Sequence, residues 1–101
     1  MIKKIMNILV VDEWGQHVVI FGKYEIKEIE DLIMTAKKHN MSCLSFIDVS
    51  GDTYFNELQC EDIKKELEIL RTNKALDKNL LNALLRAADT ALKSQSYIKI
   101  T

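Results

Sequence analysis

Residues 44 to 59, Leu-Ser-Phe-Ile-Asp-Val-Ser-Gly-Asp-Thr-Tyr-Phe-Asn-Glu-Leu-Gln, constrain the fold more than any other stretch, because an alternating apolar run, a glycine turn and a helix approach follow in direct succession. The alternation predicts a strand over residues 42 to 49, with Leu44 and Phe46 on one face and Cys43, Ile47 and Val49 towards the other. Ser50-Gly51-Asp52 reads as the turn, since glycine tolerates positive φ and the Ser and Asp side chains bond to nearby amides. A helix is then expected from Gln59 or Cys60 to Thr72. Ile63, Leu67 and Leu70 form its buried stripe, and Glu61 and Asp62 suit its first turn, near the positive end of the macrodipole.

The rest of the chain fits around this segment. Ile5 to Val11 and His17 to Phe21 are apolar runs separated by Asp12-Glu13-Trp14-Gly15-Gln16, the pattern of an antiparallel hairpin, with Gly22 expected to end its second strand. Apolar residues fall on both faces of each run, which predicts strands that are central or covered on two sides. From Glu25 to His39 the positions Ile26, Ile29, Ile33 and Ala36 follow the helical period; acids gather in the first half, Lys37, Lys38 and His39 in the last turn, and Asn40 suits a left-handed cap. Leu80, Leu81, Leu84, Leu85, Ala88, Ala91 and Leu92 give a third helix with a broad apolar face, and Ser96 to Thr101 alternate as a closing strand. The order β-β-α-β-α-α-β predicts one α+β domain, a two-layer sandwich of about four strands and three helices.

The chain of 101 residues is one domain, and its 48% hydrophobic and 29% charged content is that of a chain that folds. No apolar run reaches the roughly 20 residues of a membrane span. No leader pattern opens the chain, and two cysteines, Cys43 and Cys60, make a poor disulfide framework, so a cytoplasmic protein with free thiols is expected. The net charge of −1 is unevenly spread: residues 48 to 68 carry Asp48, Asp52, Glu57, Glu61, Asp62, Glu66 and Glu68 against Lys64 and Lys65. Such a block reads either as helix-entry chemistry or as an acidic surface for a partner.

Catalytic chemistry has little to work with. His17 and His39 do not form a spaced ligand pair, so no metal site is expected, and no glycine-rich phosphate loop or nucleophile elbow is present. Cys60 near a helix start has the position of an activated thiol but no base beside it in sequence, and a part-buried thiol is the plainer reading. Asp48 and Asp52 flank a strand end, where carboxylates serve Mg²⁺ or acid-base work, yet turn chemistry explains them as well: Asp48 on loop amides, Asp52 capping the turn. With only Arg71 and Arg86 as arginines, and Lys3, Lys4, Lys23 and Lys27 scattered, nucleic acid is not expected as a partner. Trp14, at the hairpin turn, either folds back on the sheet or anchors a partner.

Phe46-Ile47-Asp48, Gly51-Asp52-Thr53, Phe55-Asn56, Leu58-Gln59, Lys65-Glu66-Leu67 and Tyr97-Ile98-Lys99-Ile100 together follow a pattern that resembles small bacterial proteins of the immunity type, the partners of polymorphic or contact-dependent toxins. The resemblance covers residues 44 to 101. It implies a protein-binding module without cofactor or catalysis that occludes a cognate toxin domain, with a basic, nuclease-like domain among the partners it would suit. Asp52, Glu57, Glu61 and Asp62 would supply charge to such an interface, and Trp14 and Tyr54 its apolar anchors. The alternative is a homodimer or larger homo-oligomer built on the broad Leu80 to Leu92 helix and the apolar strands.

Overall fold

A computed structural model describes residues 4–101 and shows the α+β order expected from the sequence. Strands β1 (Ile5–Val11) and β2 (Val18–Glu25) form the hairpin, and helix α1 (Ile26–Lys38) follows β2 directly. A 3-10 turn at Leu44–Phe46 precedes β3 (Thr53–Phe55), and helices α2 (Glu57–Leu70) and α3 (Lys78–Ser94) lead to β4 (Tyr97–Ile100). All neighbouring strands are antiparallel, in the order β2-β1-β4-β3.

One face of this sheet carries the core. Met6, Ile8 and Val10 of β1, Phe55 of β3 and Ile98 and Ile100 of β4 are buried and join Ile29, Leu32, Ile63, Leu80 and Leu84 from the three helices in a single cluster. The alternate residues of the same strands point to the opposite face, which no helix covers. The molecule measures 34 × 34 × 20 Å, and the short axis is the thickness of one sheet and one helical layer. Among the described residues no helix is long and apolar enough to cross a membrane.

Local chemistry sets the helix ends. Asn40 takes the expected left-handed conformation after α1. Asn56 and Gln59 form a capping box: the Gln59 amide donates to Asn56 Oδ1, and the Asn56 amide donates to Gln59 Oε1, both at 2.9 Å. The cap starts α2 at Glu57, two residues before the expected helix start. Asp77 caps α3 by accepting the Asn79 amide at 2.8 Å, and Gln95 ends it in the left-handed region.

Three expectations are corrected. Residues 42 to 49 do not form the third strand; β3 lies at Thr53–Phe55 instead. The reason is a carboxylate from α2: Glu66, almost wholly buried, accepts the amides of Cys43 at 3.0 Å and Leu44 at 2.9 Å, and Ser45 Oγ donates to the Met41 carbonyl. Side chains thus satisfy backbone groups that a strand would satisfy through neighbours. Leu44 is buried and Phe46 exposed, so the alternation there was not a strand face. Secondly, Gly22 does not end β2, which runs on to Glu25. The Tyr24 ring lies over Gly22, where a Cβ would fall 2.5 Å from a ring carbon, and Tyr24 Oη donates to the Asn79 carbonyl at 2.9 Å, tying the strand to α3. Thirdly, β2 is an edge strand, with Val18, Val19 and Ile20 exposed, and is not covered on both sides.

Candidate partner-binding surface

The helix-free face is built from rows of cross-strand neighbours. Tyr54 of β3 stands beside Lys99 of β4, Lys99 beside Leu9 of β1, and Leu9 beside Ile20 of β2. In the next row Tyr97, Val11 and Val18 are neighbours. Because β1 and β3 end where β2 and β4 begin, the hairpin loop, the start of β4 and the entry to α2 all lie at one end of the sheet. There Trp14, Tyr54, Tyr97, Val11, Val18 and Lys99 line a hollow of about 470 Å³.

Asp12 shapes the loop that carries Trp14. Its Oδ1 accepts the amides of Trp14 at 3.1 Å and Gln16 at 2.8 Å, the Gly15 amide donates to its carbonyl at 3.0 Å, and Gly15 supplies a φ of 71°. The loop holds Trp14 with 76% of its surface exposed, so it does not fold back into cover. The Gln16 amide, followed by those of Trp14 and His17 and by the His17 ring, holds the Asp12 carboxyl below its ordinary value of 3.8, against an opposing effect of desolvation. A depressed folded-state pKa stabilises the loop above the unfolded value, and that contribution is lost as pH falls through the depressed one. Trp14 is the sole tryptophan, so its fluorescence should stay level from neutral pH down to the ordinary Asp value and step only below it, with the step absent in Asp12→Ala. A step centred above that value would contradict this role for Asp12.

Lys99 is the basic group of the hollow, whose lining also carries Asp12 and Glu13. Its ammonium lies 5.4 Å from the Tyr54 ring centroid and 3.9 Å from Asp52 Oδ2. Hydrogen bonding to Tyr54, and then the charges of Tyr54 and Asp52, hold it above the usual lysine value against partial desolvation. Asp52 also accepts from Thr101 Oγ1, so this carboxylate belongs to the sheet's rim and does not cap the turn. Asp48 does bond to the loop, accepting from the Ser50 amide at 2.9 Å and hydroxyl at 2.7 Å.

Of the six residues singled out from sequence, the structure brings Trp14 and Tyr54 into one hollow and sets Asp52 on its rim through Lys99. Glu57 lines a neighbouring hollow of about 370 Å³ with Leu58 and Gln95, and Tyr97 is the wall shared by the two. Glu61 and Asp62 are exposed further along α2 and line neither. Tyr97 and Lys99 were missed as surface residues. Their signal was the period of two in the last strand, which sends them to the face opposite Ile98 and Ile100.

The residues that suggested chemistry are held apart. Cys60 is fully buried, with its thiol pushed up to about 11 chiefly by that burial, the reverse of helix-start activation. Asp48 lines a separate surface hollow with Met34 and Val49, and neither Asp52 nor Cys60 opens onto it. No family model, curated protein or solved structure matches the chain.

Proposed function

We propose that this chain is a cytoplasmic protein-binding module of the immunity type, which neutralises a bacterial toxin domain by covering its active site with the hairpin end of the sheet. The observation that carries the reading is Trp14, exposed at a loop that Asp12 orders, beside Tyr54 and Tyr97 on fixed strands. Aromatic side chains held in place lose little conformational freedom on binding and dominate interface energetics. Occlusion asks nothing of the inhibitor beyond shape and charge.

Charge supplies the second part. Glu57, Glu61 and Asp62 are exposed on the first two turns of α2, and Glu57 lines the hollow that shares Tyr97 with the aromatic one. Asp52 contributes less, because Lys99 faces it. Exposed acids at the border of an apolar patch raise the association rate with a basic partner more than they raise affinity.

The test is the association rate with a candidate toxin domain, taken from a reading frame beside this chain's gene. Reversing Glu57 and Glu61 to lysine should slow association about 10-fold at low salt, with the gap closing as salt shortens the Debye length. Equal rates at low salt for the wild type and the reversed variant would remove the acidic face from the binding reading.

A further inference from the structure

The two edges of the sheet are unlike. At β3 the edge strand is three residues long, and a short edge offers little to pair with. At β2 it is eight residues long, and Val18, Val19 and Ile20 are 50%, 49% and 60% exposed. That stretch has no proline and no charge, and the bulge, which leaves Phe21 without a partner on β1, lies just beyond it. Natural edges are usually guarded by one of these devices.

The exposure also has a direction. Val18 and Ile20 stand opposite Val11 and Leu9 on the helix-free face, whereas Val19 stands opposite Val10 on the helix side. Apolar side chains are therefore open on both faces of a strand that has no neighbour on its outer side among the described residues. A partner laid on the sheet covers one face only. Another strand covers the edge and brings side chains to both faces at once.

We propose that the strand comes from a second copy of this chain, paired antiparallel across a two-fold axis at Val19, so that two four-stranded sheets become one. In that register Val19 meets Val19, Val18 meets Ile20, and His17 meets Phe21. Opposite residues of an antiparallel pair share a face, so each contact joins side chains already on the same side. The paired stretch, residues 17 to 21, carries no Lys, Arg, Asp or Glu, so the two-fold sets no such like charges against each other. The rival self-association surface is occupied: Leu80, Leu81, Leu84, Ala87, Ala88 and Ala91 of α3 are buried in the chain's own core. A contact this short belongs to the weak class of interfaces, so the dimer forms by mass action at high concentration. This inference does not depend on the toxin-binding reading.

Sedimentation equilibrium of the full chain from about 5 µM to about 1 mM tests it. The expected result is a reversible monomer–dimer equilibrium, with Val19→Lys raising the dimer dissociation constant at least about 10-fold and Met34→Lys, at an exposed apolar position on α1, leaving it unchanged. Amide exchange at residues 18 to 20 of the wild type should slow as concentration rises, a readout that needs no variant to fold. A monomer at every concentration would overturn the proposal and leave the edge to the strand of a different chain. A dimer that Val19→Lys does not weaken, or that Met34→Lys does, would overturn it as well.

Discussion

On the proposed immunity reading, Trp14→Ala should weaken binding of a cognate toxin domain by about 2–4 kcal/mol, a fall in affinity of about 30- to 1000-fold, while the variant keeps the wild-type melting temperature. The two halves of this expectation have separate causes. Binding suffers because a large aromatic surface, open to solvent in the free chain, is the anchor that a partner would cover. Folding is indifferent because the indole lies outside the core, and its loop is ordered by Asp12 and Gly15 through backbone groups that alanine also has. Titration calorimetry and a thermal melt on the same preparation check both halves. Tyr54→Ala, which removes a ring that Lys99 also contacts, should weaken binding less.

The second large effect is on stability. Glu66→Ala deletes the acceptor for two buried amides, those of Cys43 and Leu44, and strands both donors in the core. Each unsatisfied buried donor costs about 1–3 kcal/mol, so a loss of roughly 2–4 kcal/mol is expected once local relaxation is allowed for. For a domain of this size that lowers the melting temperature by about 10–25 °C. Glu66→Gln keeps the shape and one acceptor oxygen and should fall between the two. Urea denaturation of the three proteins gives the order, and equal stability for Glu66→Ala and wild type would contradict the role assigned to this carboxylate.

Glu66 also explains where the sequence misleads. Cys43, Leu44 and Ile47 are all buried, a spacing that a tight helical turn provides, whereas the alternation of the segment pointed to a strand. The choice is made by a carboxylate more than 20 residues later, which no local pattern announces. The true strand, Thr53-Tyr54-Phe55, is too short to show a period, although its residue types favour extended structure and Asn56 marks its end by capping the next helix. The C-terminal end of α1 was legible because Lys37, Lys38 and Asn40 are local signals. The order of the strands was not: β4 inserts between β1 and β3 and leaves β2 at the edge, a non-local outcome that turns an apolar strand into an exposed one.

The candidate surface was legible in part for the same reason. Trp14 and Tyr54 both stood out as aromatic anchors, but that they lie side by side showed in neither composition nor spacing, since only the pairing of β3 with β4 and of β4 with β1 brings the two together. Several of the residues that carried the resemblance to immunity proteins hold structural posts, whereas Asp52, Tyr97 and Lys99 lie on the candidate surface. Asn56 and Gln59 cap α2, Glu66 holds the 3-10 turn, and Ile98 and Ile100 fill the core. The candidate surface draws as much on the hairpin outside this pattern.

The measurement that bears most directly on the proposed binding is calorimetric titration of a candidate toxin domain, taken from a reading frame beside this chain's gene, into the wild-type protein, with Trp14→Ala as the second sample. The account predicts one-to-one binding of submicromolar affinity or tighter that falls at least about 30-fold in the variant. No binding by the wild type, or equal binding by both proteins, would contradict it.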